Sequence, residues 1–499
     1  MARRLVVSVA LLTLLCLAVP AARAISIDNG GRGDRSVTQL QRGTATACRT
    51  PLRSVSDAAP EECAPIDGRT ISEAQINAYE QSWTHRALSL QRGLDDSAPL
   101  AQEQMPHTHN SFNASSYTLG STSYYPTLTN QDPNQVYSIT DQLRMDVRAV
   151  EIDLHWWPSP YAATNGRTDT GGKWVTMCHG ANDVVTGVHV GCTWDRPFEN
   201  GLAEVRAWLD ANPDQVILLY LENQLTDESG AYNLQAQTIA ADLIQKGLGD
   251  LVYTPQNGPC ENMPLDVSRA KMRSEGHRVL IVGNRGAGGD WCSLVHERGP
   301  QPQHWDEGGD PTNYNGDASD PNSDCSKDRA QRLAGQPFRR WYEDSTWLTN
   351  MQNGRNEHIT AATTALMVRC GVNIVGFDQL TPDDGRLSAF VWSWAANEPK
   401  AGAGNCAYQG GDGRFHAGDC KDKHHFACVD ASGAWHVTAS TGQWDKGAKA
   451  CAREFAGSRF AVPANGLHNQ LIVEARGSAS AVWLNYSAAS GNWKALLSS

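Results

Sequence analysis

The chain has 499 residues, with 42 Lys and Arg against 54 Asp and Glu and a formal charge of −12. Such a length accommodates a large domain with a sizeable core and a smaller one beside it. The acidic balance excludes a nucleic-acid binder held by charge, and it means that any anionic surface must be engaged locally, through apolar contacts or a cation.

The N-terminus carries Arg3 and Arg4, an apolar run over 5–19 and Ala22-Arg23-Ala24. This reads as a secretory signal peptide over 1–24. The run is short for a membrane-spanning helix, and Leu15 precedes Cys16 where a lipoprotein site wants a small residue. A secreted, soluble protein with no transmembrane anchor is expected. Loss of Arg3, Arg4 and Arg23 leaves 39 basic against 54 acidic residues, a charge of −15. Loss of Cys16 from the 13 cysteines leaves an even twelve, which favours disulfides in an exported chain. No spacing is CxxC, which argues against zinc.

Residues 25–98 read as a polar N-terminal extension, with Cys48 and Cys63 placed to close a local loop and a helical pattern over 71–94. Beyond it strand and helix alternate. A helix ending at 142–147 feeds a strand at 149–154, and a further strand is expected at 174–178. Phe198, Leu202, Val205 and Leu209 mark one face of a helix that Asn212-Pro213-Asp214 stops. Residues 215–221 are almost unbroken apolar, as in a strand buried on both faces of a parallel sheet. A helix over 234–248, a strand over 278–282, a helix over 359–370 and a strand over 373–377 follow. The alternation predicts an α/β, TIM-barrel-like domain over 99–386. It fails over 284–344, which reads as a long loop held by Cys292 and Cys325 and walling the barrel mouth. Residues 387–499 form a second unit rich in Trp, Gly, Ala and Cys. Nearness in sequence suggests the bridges Cys178–Cys192, Cys260–Cys292 and Cys325–Cys370, although it does not fix them.

Polar residues end several of the apolar runs: HNSFN at 109–113, VEIDLHWW at 150–157, MCHG at 177–180 and VILLYLEN at 216–223. In a parallel barrel such ends converge on one mouth. Cleaving a phosphodiester needs charge neutralised on the phosphoryl oxygens, a base for the attacking hydroxyl and an acid for the leaving alkoxide. His109 and His179 offer two imidazoles. Asn110, Glu151, Asp153 and Glu222 offer an all-oxygen ligand set, which suits Ca2+ better than zinc. Glu151 and Asp153 stand two apart on a strand and so share a face. His107 and His155 read as structural.

HNS, VRAVEIDLHWW, VTMCHG and VILLYLENQ resemble the X-domain of phosphatidylinositol-specific phospholipase C, in its calcium-dependent form. RVLIVGN and NIVGFDQL extend the resemblance to about residue 380. It implies a barrel in which the inositol 2-hydroxyl attacks phosphorus, giving a cyclic phosphodiester and diacylglycerol. It also implies His109 and His179 as catalytic residues, Asn110, Glu151, Asp153 and Glu222 as calcium ligands, and Glu151 as a further candidate base. Metal-independent members place an arginine near the cation position. None stands on the mouth-facing side of the Glu151 strand, which favours calcium. Arg285 is the one basic residue available near the fourth strand to hold a headgroup. Trp156, Trp157 and Tyr161 are read either as packed under the long loop or as an apolar rim touching lipid, with Trp157 contacting the substrate surface.

Residues 394–429 resemble the second half of a C-type-lectin-like domain and 444–493 its first half, the reversed order of a circular permutation. The resemblance implies the bridges Cys406–Cys420 and Cys428–Cys451. Glu398-Pro399-Lys400 matches the family's sugar-binding motif only in part, and Arg414-Phe415-His416 replaces its calcium-binding one, which favours an accessory module without sugar. The alternatives to a phospholipase C reaction are a glycerophosphodiesterase or sphingomyelinase-D-like enzyme, and a weakly catalytic surface protein that binds a glycan.

Overall fold

In the computed structural model of the chain the residues described are 48–49, 62–63, 73–114, 116, 133–159, 162, 167–178, 182–183, 188–189, 197–227, 230–284, 286, 288–335, 337–346, 357–489 and 491–495. The expected signal peptide lies outside them. Among the described residues no helix is long and apolar enough to cross a membrane.

Two short strands, β1 (Cys48–Arg49) and β2 (Glu62–Cys63), pair with Cys48 opposite Cys63. Helices α1 (Glu73–Glu80) and α2 (Trp83–Asp95) follow. They are tied to the next domain through buried Asp146, which accepts hydrogen bonds from Tyr79 Oη (2.7 Å) and Arg92 Nη1 (2.7 Å) and meets His85 Nδ1 at 2.9 Å.

Eight parallel strands then curl into a barrel-like sheet: β3 (Met105–Thr108), β4 (Ala149–Pro158), β8 (Ile217–Gln224), β10 (Val279–Gly283), β11 (His296–Glu297), β12 (Trp305–Glu307), β13 (Phe338–Tyr342) and β14 (Ile374–Phe377). Their spatial order is β11-β10-β8-β4-β3-β14-β13-β12, so the first and last barrel strands in sequence, β3 and β14, are neighbours. Strand β5 (Lys173–Met177) runs antiparallel to β4, the pair β6 (Asn182–Asp183) and β7 (Val188–His189) stands apart, and β9 (Val252–Tyr253) adds to β10. The principal connecting helices are α3 (Ile139–Arg144), α4 (Phe198–Ala211), α5 (Leu234–Gly247), α6 (Arg269–Ser274), α7 (Trp291–Leu294), α8 (Asp324–Leu333), α9 (Ala361–Cys370) and α10 (Gly385–Phe390).

The apolar runs of the central strands are explained by burial on both faces. Leu218, Tyr220, Leu280, Val282, Trp305, Phe338 and Ile374 fill the interior. Ile152, Leu154, Leu219 and Leu221 belong to the outer core with Leu202, Val205 and Ile239 of the helices. Alternate residues of each strand thus serve the two cores.

No ladder joins β11 to β12 among the described residues. The seam is bridged by other contacts instead. Arg298 pairs with Glu307 at 2.9 Å, Tyr220 stacks on Trp305 with ring centroids 5.5 Å apart, and Met263 donates its N–H to Glu297 O (2.7 Å) while its carbonyl meets His304 Nε2 (2.6 Å).

Two expectations are corrected. The strand at 174–178 is β5, a hairpin partner of β4 and not a barrel strand, because its residues Trp174 to Met177 pair antiparallel with Trp157 to Leu154. The 284–344 stretch is not one loop; it contains three barrel strands and α8, whose short, polar and aromatic segments carry little apolar periodicity. Cys292 and Cys325 anchor it outward, to Cys260 and Cys370. Cys178 is disulfide-bonded, while Cys192 lies outside the described residues.

The C-terminal unit is a seven-stranded sheet ordered β16-β15-β20-β17-β18, with β19 and β21 at its sides. Its strands are β15 (Cys406–Gln409), β16 (Phe415–Gly418), β17 (His425–Val429), β18 (Trp435–Val437), β19 (Arg459–Phe460), β20 (Val482–Ser487) and β21 (Lys494–Ala495), with helices α11 (Gly447–Glu454) and α12 (Gly466–Ala475). Bridges Cys406–Cys420 and Cys428–Cys451 form as expected. The unit docks on the barrel through buried Gln104, which donates to the carbonyls of Val368 and Val372 (2.9 Å each) and accepts from Gly466 N (2.6 Å).

Candidate active site

The site is built where β3, β4, β8, β13 and β14 end. After β3 the chain turns at Asn110, whose φ of +46° is left-handed, a conformation asparagine tolerates better than most residues. Ser111 locks this turn to β4: its N–H donates to Glu151 O (3.0 Å) and its hydroxyl accepts from Glu151 N (3.0 Å). His109 and Glu151 are thereby held in a constant relation. Gly376 on β14 is required by the same crowding, since a Cβ there would lie 2.7 Å from Tyr342 and 3.1 Å from His107.

His109 is 6 % exposed. Its Nδ1 faces Asp378 Oδ1 at 3.3 Å, its ring lies 4.8 Å from that of Tyr342, and Nε2 is 3.2 Å from the Asn110 amide. Burial pushes the imidazole pKa down, but the carboxylates of Glu151 and Asp378 outweigh it and hold it at about 9. Asp378 also accepts from Asn134 Nδ2 (3.1 Å), Ser345 N (2.8 Å) and Ser345 Oγ (3.1 Å).

On β4 and β8, Asp153 stands opposite Glu222 in register. Ligand atoms of Glu151, Asp153 and Glu222 all lie within 4.8 Å of one another, close enough to share one metal ion. Burial and the neighbouring Glu222 and Glu151 raise Asp153 well above the usual carboxylate range, and burial with Glu151 raises Glu222. Buried like charges of this kind are relieved by a cation or a proton. With one orientation of its amide, the Asn110 oxygen faces the Asp153 carboxylate, as two ligands of one cation do. With the other, its nitrogen donates to Asp153 at 2.8 and 3.0 Å. The donor set is all oxygen and fits a hard divalent ion.

Glu151 is also held by protein. Its Oε2 accepts from Arg340 Nη2 at 2.5 Å and from Asn110 N at 3.4 Å, and lies 3.3 Å from His107 Nε2. Burial keeps His107 neutral, with Arg340 pushing its pKa the same way. Arg340 lies between the rings of Tyr220 (4.8 Å) and Tyr342 (4.1 Å) and reaches Glu307 at 3.2 Å. An arginine therefore does enter the carboxylate cluster, from β13 across the barrel. The expectation built on the Glu151 strand alone overlooked it, because Arg340 lies in the stretch read as loop.

His109, Asn110, Glu151, Asp153 and Glu222 thus lie together at one end of the barrel. His179 and Arg285 lie outside the described residues, as does Tyr161. Trp157 does not form an exposed rim. Both it and Trp156 lie within β4 and are 7 % exposed, Trp157 opposite Trp174 and packed with Cys178. Asp378 was missed, although NIVGFDQL carries the same signal as the other strands, a polar residue just past an apolar run.

Residues 65–384 match the model of the Rv2075c PI-PLC-like domain family. Two Mycobacterium tuberculosis proteins, uncharacterized protein Rv2075c of strain H37Rv and uncharacterized protein MT2135 of strain CDC 1551, are each 35 % identical over 462 residues, covering 87 % of this chain and 88 % of theirs. Among solved structures, the phosphatidylinositol-specific phospholipase C of Listeria monocytogenes aligns at 14 % identity and TM-score 0.38, covering 59 % of this chain and 94 % of that one. The Ca2+-dependent phosphatidylinositol-specific phospholipase C of Streptomyces antibioticus aligns at 15 % identity and TM-score 0.33, covering 58 % and 97 %. On the family match and the two relatives, the chain belongs to the Rv2075c PI-PLC-like domain family.

Proposed function

We propose that this chain is a phosphodiesterase that cleaves a phosphatidylinositol-type lipid on the glycerol side of its phosphodiester. The inositol 2-hydroxyl loses its proton and attacks phosphorus, the bond from phosphorus to the glycerol oxygen breaks, and that oxygen takes up a proton. The products are a cyclic inositol phosphate and diacylglycerol. His109 and His179 are the acid–base pair, with Glu151 as a further candidate base. The observation that carries the reading is the contact of His109 Nδ1 with Asp378 Oδ1 at 3.3 Å, which leaves Nε2 turned toward Asn110 and the carboxylate cluster. A carboxylate at one nitrogen selects the tautomer and steadies the imidazolium that forms in turnover.

Asn110, Glu151, Asp153 and Glu222 would hold a calcium ion. Calcium supplies charge neutralisation on the phosphoryl oxygens. Arg340 fixes the orientation of Glu151 and offsets part of the cluster's negative charge. The substrate is met at a membrane surface, with Arg285 a candidate headgroup contact. Secretion and a role for the C-terminal unit as a disulfide-stapled accessory module belong to the same reading.

Product analysis on a panel of phospholipids, with and without calcium, tests it. Diacylglycerol and cyclic inositol phosphate, formed only with calcium, are expected. A free headgroup as product would overturn the phospholipase C reading, and full turnover in chelator would overturn the calcium assignment.

A further inference from the structure

Glu343 follows β13 directly and is 1 % exposed. Its own N–H donates to Gly376 O (3.0 Å), which ties it to β14. One carboxylate oxygen, Oε1, accepts from the backbone N–H of Asp378 at 2.6 Å and from Arg386 Nη1. The other, Oε2, accepts from Ile359 N at the approach to α9. Arg386 in turn donates through Nη2 to the carbonyl of Asp378 at 2.9 Å, and its Nε is held by Asp384 at 2.8 and 2.9 Å. Glu343 and Arg386 therefore grip both backbone polar groups of one residue, Asp378. The grip is placed just before a turn in the chain, since the next residue, Gln379, has a left-handed φ of +50°. A left-handed backbone at a non-glycine residue persists only when its surroundings hold it.

We propose that Glu343, together with Arg386, is a positioning residue for the Asp378–His109 pair. Its carboxyl oxygens bind Asp378 N, Ile359 N and Arg386, and among the described residues no hydrogen bond joins it to His109 or the carboxylate cluster. It acts through the backbone of Asp378, setting where that carboxylate meets His109 Nδ1. The inference rests on the proposed acid–base role of His109. Both carboxyl oxygens of Glu343 are engaged, by two main-chain N–H groups and a guanidinium, which makes the anchor directional, and the bond from the charged guanidinium is of the shorter and stronger kind.

The test is a double-substitution cycle in the full-length protein, read as kcat and KM for phosphatidylinositol and as the pH profile of kcat. Glu343→Gln keeps the shape and weakens the grip, and is expected to lower kcat about 10- to 100-fold with KM little changed, the range seen when an outer partner of a working residue is lost. Glu343→Asp is expected to recover part of that loss. In an Asp378→Ala background Glu343→Gln should cost nothing further, because residues acting as a unit are not additive. Equal losses in both backgrounds, with an unchanged pH profile, would make Glu343 merely structural and overturn the inference. If Asp378→Ala itself leaves turnover intact, the proposed function falls instead. Urea unfolding of each variant corrects the rates for unfolded protein, and Arg386→Lys reads the carbonyl side of the same grip if Glu343→Gln fails to fold.

Discussion

Arg340 on β13 and Glu151 on β4 meet at 2.5 Å inside the barrel, 189 residues apart in the chain. With Glu307 and Arg298 they form a run of alternating charge, Arg298–Glu307–Arg340–Glu151, that also crosses the seam where, among the described residues, β11 and β12 do not pair. One link thus closes the barrel and orients a candidate ligand.

Arg340→Met should therefore unfold more easily. It leaves buried Glu151 without its guanidinium partner, a change that costs about 3–5 kcal/mol when one partner of a buried pair is removed, while half-buried Glu307 keeps Arg298. Arg340→Lys keeps the charge but cannot reach both carboxylates in the same fork, and should fall in between. Urea midpoints of the three proteins check this; equal midpoints would show that the charge run does not hold the seam.

Calcium should raise the melting temperature of the wild type. An ion that binds only the folded state stabilises by about 2.7 kcal/mol at a hundredfold excess over Kd. Asp153→Asn and Glu222→Gln should lose most of that increment while melting as high as the wild type, or higher, in chelator, because each relieves buried like-charge repulsion. Calorimetry with calcium and with chelator makes the comparison without reference to activity.

His109→Ala should lower kcat by about 10²–10⁴-fold, the usual span for a lost acid–base group. Asp378→Asn should lower it too, with the fold preserved, since the amide cannot steady an imidazolium. Turnover measured beside near-ultraviolet dichroism separates lost chemistry from lost structure.

Trp157→Ala should reduce activity equally on vesicles and on a soluble substrate. The side chain is buried within β4, so its removal acts through packing, at about 3–5 kcal/mol for a buried tryptophan. A loss confined to vesicles would restore a lipid-touching role.

Acid should weaken the barrel through His296. Burial pushes its pKa down to about 4 from 6.5, only partly offset by Glu261 and the Ile281 carbonyl. The folded state holds this ring neutral, so the stability it carries is present above about pH 6.5 and is lost as pH falls through 4, to a total of about 3 kcal/mol. His296→Gln should flatten the melting-temperature curve across that window, and an unchanged slope would assign the acid limb to other groups.

The sequence by itself determined the alternating α/β order and the central strands, and it carries at their ends the polar residues His109, Asn110, Glu151, Asp153 and Glu222. These are local facts: an apolar run long enough to be buried on two faces, and a polar residue at its end, are both written within a few positions. It also determined the pairs Cys406–Cys420 and Cys428–Cys451 through resemblance. Only the tertiary structure decided that β5 turns back on β4, that Trp157 is buried, and that 284–344 supplies three barrel strands. It alone placed Arg340 on Glu151, Asp378 on His109 and Glu343 under Asp378. Those relations join strands from distant parts of the chain, and a polar or aromatic strand of two to five residues leaves too little periodicity to be read before its neighbours in the sheet are known.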